Sequence, residues 1–317
     1  QIGKRGFHDL RDVSNRPINE NWRERRRDGL LELFESFQPN FLITEAFPFG
    51  RRQMRFELIP FLEHATSQKS PPKIFCSVRD ILKSNRKAGR AKETSNLIKK
   101  YYDGVLVHGD PNFVKFEETF PETQDFKEKI VYTGIVADRY EYSLKKRRRE
   151  ILVSAGGGAV GLQLFETALK ARVLSKFSGA TWRLLFGPNI GETDYLRFQA
   201  QASDRVIIER YRSDFRELLT QCAVSVSQAG YNSTADILMA ATPAVLVPFD
   251  IDDEDEQPRR AAKLAERGYA ETIPSGKLTP VSLAAAVDKA GKAKPFTASK
   301  IDLDGARRTA EFFIKQT

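Results

Sequence analysis

Long apolar runs are missing from this sequence. A helix that crosses a membrane needs about 18 to 20 uninterrupted apolar residues. The most apolar region, 237–249, is broken by Thr242-Pro243, which excludes a spanning helix. Cysteine is scarce too: Cys76 and Cys222 are the only two and stand far apart. Neither a disulfide framework nor a thiolate metal cluster is expected, and a reducing cytoplasm fits. The chain opens QIGKRGFHDLRD, with neither a methionine nor the apolar core of a signal peptide. The expectation is therefore a cytoplasmic protein whose first half is either incomplete upstream of Gln1 or reorganised. Internal repeats and extended low-complexity tracts are also absent.

What is there is ordinary for a soluble globular protein: 41% hydrophobic and 29% charged over 317 residues. That length exceeds what one core usually supports and predicts two α/β domains. The net charge of +9 is uneven. Through Arg149, 30 Lys and Arg stand against 21 Asp and Glu; from Glu150 onward the numbers are 21 and 21. Basic runs at Arg25-Arg26-Arg27 and Lys145 to Arg149 offer peripheral contact with an anionic membrane. The favoured reading of both is a solvated helix face and a linker. A basic half alone does not predict nucleic-acid binding.

Helical patterns and short β-branched runs alternate, as in strands crossed over by helices in a parallel sheet. In the first half, strands are predicted at Phe41–Thr44, Lys73–Val78, Gly104–Val107 and Lys129–Thr133. The charged stretch Asp138 to Glu150 reads as a linker. The second half predicts a full doubly wound domain, with strands near Ile151–Ser154, Trp182–Phe186, Val206–Glu209, Ala223–Val226, Ala244–Val247 and Ala270–Ile273. The domains are accordingly 1–144 and 145–302, with a last amphipathic helix at 303–316.

Three segments point to chemistry. The first is a strand, the loop Ala155-Gly156-Gly157-Gly158-Ala159-Val160-Gly161, and a helix from Leu162. Glycines let backbone N–H groups approach a ligand, and the helix N-terminus favours a diphosphate. Gly156, Gly158 and Gly161 have the spacing of a dinucleotide loop. The rest of that fingerprint fails, because the next strand ends Phe186-Gly187-Pro188-Asn189 without the carboxylate that would hold an adenosine ribose. No Lys-Ser or Lys-Thr follows, so it is not a Walker loop. A plain tight turn is the remaining alternative.

The second segment, Ser225 to Asp236, again joins a strand end, a glycine turn at Gly230 and a helix start. Two such helix ends facing one crevice suit the two phosphates of a nucleotide sugar. Ser233-x-x-Asp236 also reads as a capping box, and pattern alone favours that role for Asp236. The third runs from Ala244 through Asp250-Ile251-Asp252-Asp253-Glu254-Asp255-Glu256-Gln257-Pro258. Consecutive carboxylates rarely converge without a defined turn, so a solvated acidic loop is favoured over a metal site. Pro258 reads as the first residue of the next helix, which leaves the Gln257 amide to cap that helix or to reach a ligand.

In this order the three segments resemble the MurG-related GT-B glycosyltransferases, of the family 28 C-terminal-domain type. The first half is similar to predicted members of that group at Thr44–Pro48, Ser77–Asp80 and Val107–Pro111. The resemblance implies two Rossmann-like doubly wound domains facing a central cleft and a metal-independent, cofactor-free inverting transfer from a nucleotide-sugar donor of uridine diphosphate type. The acceptor is unassigned among saccharides, lipid-linked sugars and small molecules. Carried over by position, Gly156, Gly157 and Gly158 hold the diphosphate together with Ser227, Gly230, Asn232, Ser233 and Thr234. Asp236 takes the ribose hydroxyls, and Gln257, with Glu256 beside it, takes the hydroxyls of the donor sugar. The stretch around Arg212 contacts the base through its backbone, and the last helix crosses back onto the first domain.

The family's opening strand with its Gly-x-Gly-His loop, which supplies a histidine proposed as base, has no counterpart here. Deprotonating the acceptor then falls to first-half residues at strand ends: His108, Glu45, Asp80 or Asp110. His108 has the most suitable unperturbed pKa. The alternatives are a sugar-nucleotide epimerase of the same fold and a donor-binding subunit of a membrane-associated transferase.

Overall fold

The computed structural model describes residues 2–3, 6–83, 89–138, 149–155, 161–250, 254–293 and 301–316. The chain forms two compact units. The first runs to Tyr132 but cedes Gly109–Lys115 and a short stretch at Lys83 to the second, which continues from Thr133. The division thus precedes the expected boundary at 144.

In the first unit, β1 (Ile2–Gly3) and β2 (Gly6–Leu10) pair antiparallel ahead of α1 (Glu20–Phe37). The Asn19 side chain accepts from Trp22 N at 2.9 Å and starts α1; Gln38, left-handed at φ 46°, ends it. A four-stranded parallel sheet follows in chain order: β3 (Phe41–Glu45), β4 (Lys73–Arg79), β5 (Gly104–His108) and β6 (Ile130–Tyr132). Helices α2 (Arg55–Thr66) and α3 (Arg90–Tyr101) make the first two crossovers. Because helices cover the sheet, β4 and β5 carry continuous apolar runs rather than an alternation. Ile74, Cys76, Ile98, Val105 and Val107 pack there with Phe61, Phe116, Phe120 and Phe126. Strand order never reverses in this sheet.

The second unit is built on six parallel strands: β7 (Glu150–Ser154), β8 (Thr181–Leu185), β9 (Val206–Glu209), β10 (Val224–Ser227), β11 (Ala244–Leu246) and β12 (Glu271–Thr272). Their spatial order is β12-β11-β10-β7-β8-β9. The chain therefore winds outward one way from β7 and, after returning, the other way from β10. The crossover helices are α4 (Leu162–Arg172), α5 (Glu192–Gln199), α6 (Phe215–Gln221), α7 (Tyr231–Ala240) and α8 (Glu256–Glu266). α9 (Pro280–Ala290) follows β12 and opens on a capping box between Thr279 and Ser282. The core gathers Ile151, Val153, Phe165, Trp182, Leu184, Phe186, Phe198, Val224, Val226, Val245 and Leu283. Trp182 is fully buried, and its indole N–H is satisfied by Phe177 O at 3.1 Å.

The start of α10 (Gly305–Ile314) lies against Gly134–Val136, within the second unit. Ile135 N donates to Asp302 O at 2.8 Å and Gly305 N to Ile135 O at 3.0 Å. A Cβ on Gly305 would stand 2.4 Å from Gly134 O, so this approach requires glycine. Of the charged stretch read as a linker, residues 139–148 lie outside the described ones.

Candidate functional site

In an open α/β sheet, ligands bind beyond the carboxyl ends of the strands at the point where strand order reverses. Here that point is the β7–β10 pair, whose last residues, Ser154 and Ser227, stand side by side in register. The two glycine turns singled out in the sequence leave from these two residues.

Beyond β7, Gly156, Gly157 and Gly158 lie outside the described residues. Their loop returns at Gly161, φ 154°, where a Cβ would sit 2.2 Å from the Cβ of Ala155. Only glycine lets α4 begin this close to the strand it follows. The cavity beside it, lined in part by Gly161, Phe165, Phe186 and Asp194, measures about 50 Å³ and is far too small for a nucleotide.

Beyond β10, α7 is preceded by Gly230 at φ −63°, ψ 152°. The N-terminus of a helix at this place favours an anion. The expected capping box does not form. Gly230 already ends the extended segment, so Ser233 falls inside the first turn and Asp236 well within the helix. Asn232 is exposed and Ser233 half-buried. The buried Thr234 hydroxyl donates to Gly230 O and Tyr231 O, at 3.0 and 2.9 Å. Asp236 Oδ1 accepts from Arg216 Nε at 2.9 Å. Burial pushes the Asp236 carboxyl above its ordinary value, Arg216 pulls it down, and nearby Asp138 adds a smaller upward push.

α8 holds the second turn in place. Gln257 Oε1 accepts from Ala229 N at 3.1 Å and from Phe249 N at 3.0 Å, tying the β10–α7 turn to the loop after β11. Gln257 therefore does not cap its own helix. α8 begins at Glu256, ahead of Pro258, because the missing proline N–H is tolerated throughout a first turn. Arg260, 2% exposed, donates to Ala229 O at 3.2 Å and to Glu256 Oε1 at 2.9 Å. Arg260 escaped the sequence reading, although Glu256 and Arg260 have the i,i+4 spacing of an ion pair. The link from Arg216 to Asp236 left no local signature. In the acidic loop, Asp250 pairs with Ser275, Asp255 with Arg259 and Glu256 with Arg260, each to its own partner. Arg212 is gripped by both Asp214 oxygens at 2.7 and 2.6 Å and by Glu209 at 3.2 Å, which raises its pKa.

In the first unit, Glu45, Asp80 and His108 all stand at the carboxyl edge of the four-stranded sheet. Glu45 is exposed, 3.8 Å from Arg51. Asp80 is buried and accepts from Ile81 N at 2.9 Å. His108 Nε2 shares a 2.7 Å hydrogen bond with Ser77 Oγ, and burial lowers its pKa, which keeps the imidazole neutral. Asp110 belongs to the second unit, where its oxygens accept from Asn112 N and Asp302 N, both at 2.8 Å.

Residues 152–311 match the glycosyltransferase family 28 C-terminal domain. Among curated proteins, the chain is 26% identical over 214 residues to a UDP-N-acetylglucosamine--N-acetylmuramyl-(pentapeptide) pyrophosphoryl-undecaprenol N-acetylglucosamine transferase of Desulforamulus reducens, covering 61% of this chain and 54% of that one. It is 24% identical to an uncharacterized glycosyltransferase of Methanopyrus kandleri, covering 63% and 59%. The chain spans about half the length of the curated relatives it matches. Among solved structures, the glycotransferase of kitacinnamycin superposes with a TM-score of 0.61 at 16% identity, over 93% of this chain and 80% of that one. At that identity the likeness carries the fold alone.

Proposed function

Because the chain belongs to the family of the glycosyltransferase family 28 C-terminal domain, we propose that it transfers a sugar, with inversion, from a uridine diphosphate donor to the hydroxyl of a lipid-linked acceptor. The observation that carries this reading is the side-by-side placement of Ser154 and Ser227 at the reversal of strand order, each leading through glycine into a helix N-terminus. Two helix N-termini there supply positive dipoles for a departing diphosphate without a metal ion. Asp236 accepts from the ribose hydroxyls. Gln257, its carbonyl occupied by two backbone N–H groups, turns its amide N–H groups to the donor sugar. His108, neutral by burial, takes the acceptor proton. The lipid-linked acceptor is supported by the name of the Desulforamulus relative. No described helix is long and apolar enough to cross a membrane.

Thermal stabilisation by uridine diphosphate and by NAD tests the donor, since a ligand of the native state raises its melting temperature. Uridine diphosphate should stabilise more than NAD, with or without chelator. Equal or greater stabilisation by NAD would overturn the donor assignment. Isomerisation of a UDP-sugar with no acceptor present would replace transfer by epimerisation.

A further inference from the structure

Asp236 does not choose its own direction. Its side chain is 15% exposed and Oδ1 is taken by Arg216 Nε; among the described residues Oδ2 accepts no hydrogen bond. Arg216, on α6, extends its Nη2 to Asp138 Oδ2 at 2.6 Å. A guanidinium is a rigid planar fork, so fixing one donor on Asp138 fixes where the next one points. The three side chains come from a loop, α6 and α7, all within the second unit. Arg216 and Asp138 are 42% and 69% exposed, so neither is needed to fill the core.

We propose that Arg216 is a positioning residue for Asp236, engaging Oδ1 so that Oδ2 is presented to the ribose hydroxyls of the nucleoside diphosphate. The inference rests on the ribose role given to Asp236 above. Arg216 has a second effect of the same sign. The charged groups facing Asp236 are Arg216 and Asp138; burial and Asp138 push the carboxyl toward protonation, and Arg216 alone opposes them. An ionised acceptor makes a hydrogen bond about twice as strong as a neutral one, so losing Arg216 weakens the ribose contact through both direction and charge.

The test is titration of wild type, Arg216→Gln, Arg216→Lys and Asp138→Asn with uridine diphosphate and its 2′,3′-dideoxy analogue. Wild type should prefer the natural nucleotide by about ten- to a hundredfold, the range for a hydrogen bond to a charged group. Arg216→Gln should shrink that ratio severalfold and leave affinity for the dideoxy analogue within about twofold. Arg216→Lys, which keeps the charge and loses the fork, should recover part of the ratio. Asp138→Asn, which loosens the far end of the fork, should shrink it less than Arg216→Gln does. Equal binding of both nucleotides by wild type would sink the ribose role of Asp236, and this inference with it. A discriminating wild type whose ratio survives in both Arg216 variants would sink the inference alone. So would a Gln variant that loses affinity equally for both nucleotides, because Arg216 would then act on the fold or the phosphates.

Discussion

The tether made by Gln257 and the sugar contact proposed for it are separable, and a pair of substitutions divides them. Its Oε1 accepts from Ala229 N and Phe249 N at 3.1 and 3.0 Å. Truncation to alanine leaves both N–H groups without that acceptor. At about 0.5 to 1.5 kcal/mol net for each bond, Gln257→Ala should cost about 1 to 3 kcal/mol. In a unit of this size that is a fall of about 2 to 12 °C in melting temperature. Gln257→Glu keeps an oxygen where both N–H groups point, and a carboxylate accepts at least as strongly as an amide carbonyl. The glutamate variant should therefore recover most of the lost stability.

The glutamate variant also has no N–H to offer the donor sugar. Its new charge faces the diphosphate of UDP and of a UDP-sugar alike, so the ratio of the two affinities isolates the sugar contact. That ratio should fall by about 2- to 12-fold, one neutral hydrogen bond. Calorimetric titration with both ligands, alongside thermal melts, reads the two tasks independently. An unchanged melting temperature in Gln257→Ala would show that the tether does not hold the turn. An unchanged affinity ratio in Gln257→Glu would remove the sugar from the amide's role.

Two further expectations concern the base and the glycines. His108→Gln should lower turnover by about a hundredfold or more with donor affinity near normal. Because burial lowers the His108 pKa, the neutral form persists into more acidic solution, and the acid limb of the wild-type rate profile should lie below the ordinary histidine value of about 6.5; full turnover in the variant, or an acid limb above that value, refutes the assignment. Gly161→Ala, with its Cβ 2.2 Å from that of Ala155, should lose about 1 to 3 kcal/mol of stability as the start of α4 is displaced. Gly230→Ala meets nothing nearer than Ser233 Oγ at 4.0 Å and should melt like wild type, so any loss of nucleotide affinity there reports the ligand. Equal melting temperatures for both alanine variants would refute the packing argument for Gly161.

The second sheet was legible because its signals are carried by the backbone. β-branched runs such as Ile151–Ser154 and Val206–Glu209 announce strands whatever lies around them, and glycine at 161 and 230 marks close turns by what it lacks. The placement of Asp236 was not legible, for a reason internal to helix capping. Gly230 and Ser233 are both acceptable helix starts, and Ser233 followed by Asp236 matches the more specific pattern. Tertiary structure chooses the earlier start, where the Tyr231 hydroxyl receives Val136 N at 2.8 Å. Once the helix begins at Tyr231, Asp236 faces α6, and its partner is an arginine that no local spacing connects to it. The boundary near Tyr132 escaped similarly: Gly109–Lys115 and Gly134–Val136 read as first-domain chain, yet Asp110 and Ile135 bond residues just ahead of α10. A carboxylate's type and period are local, but whether it caps, pairs or binds is decided by what the fold sets opposite it. Opposite Asp236 it sets Arg216, a residue absent from every motif.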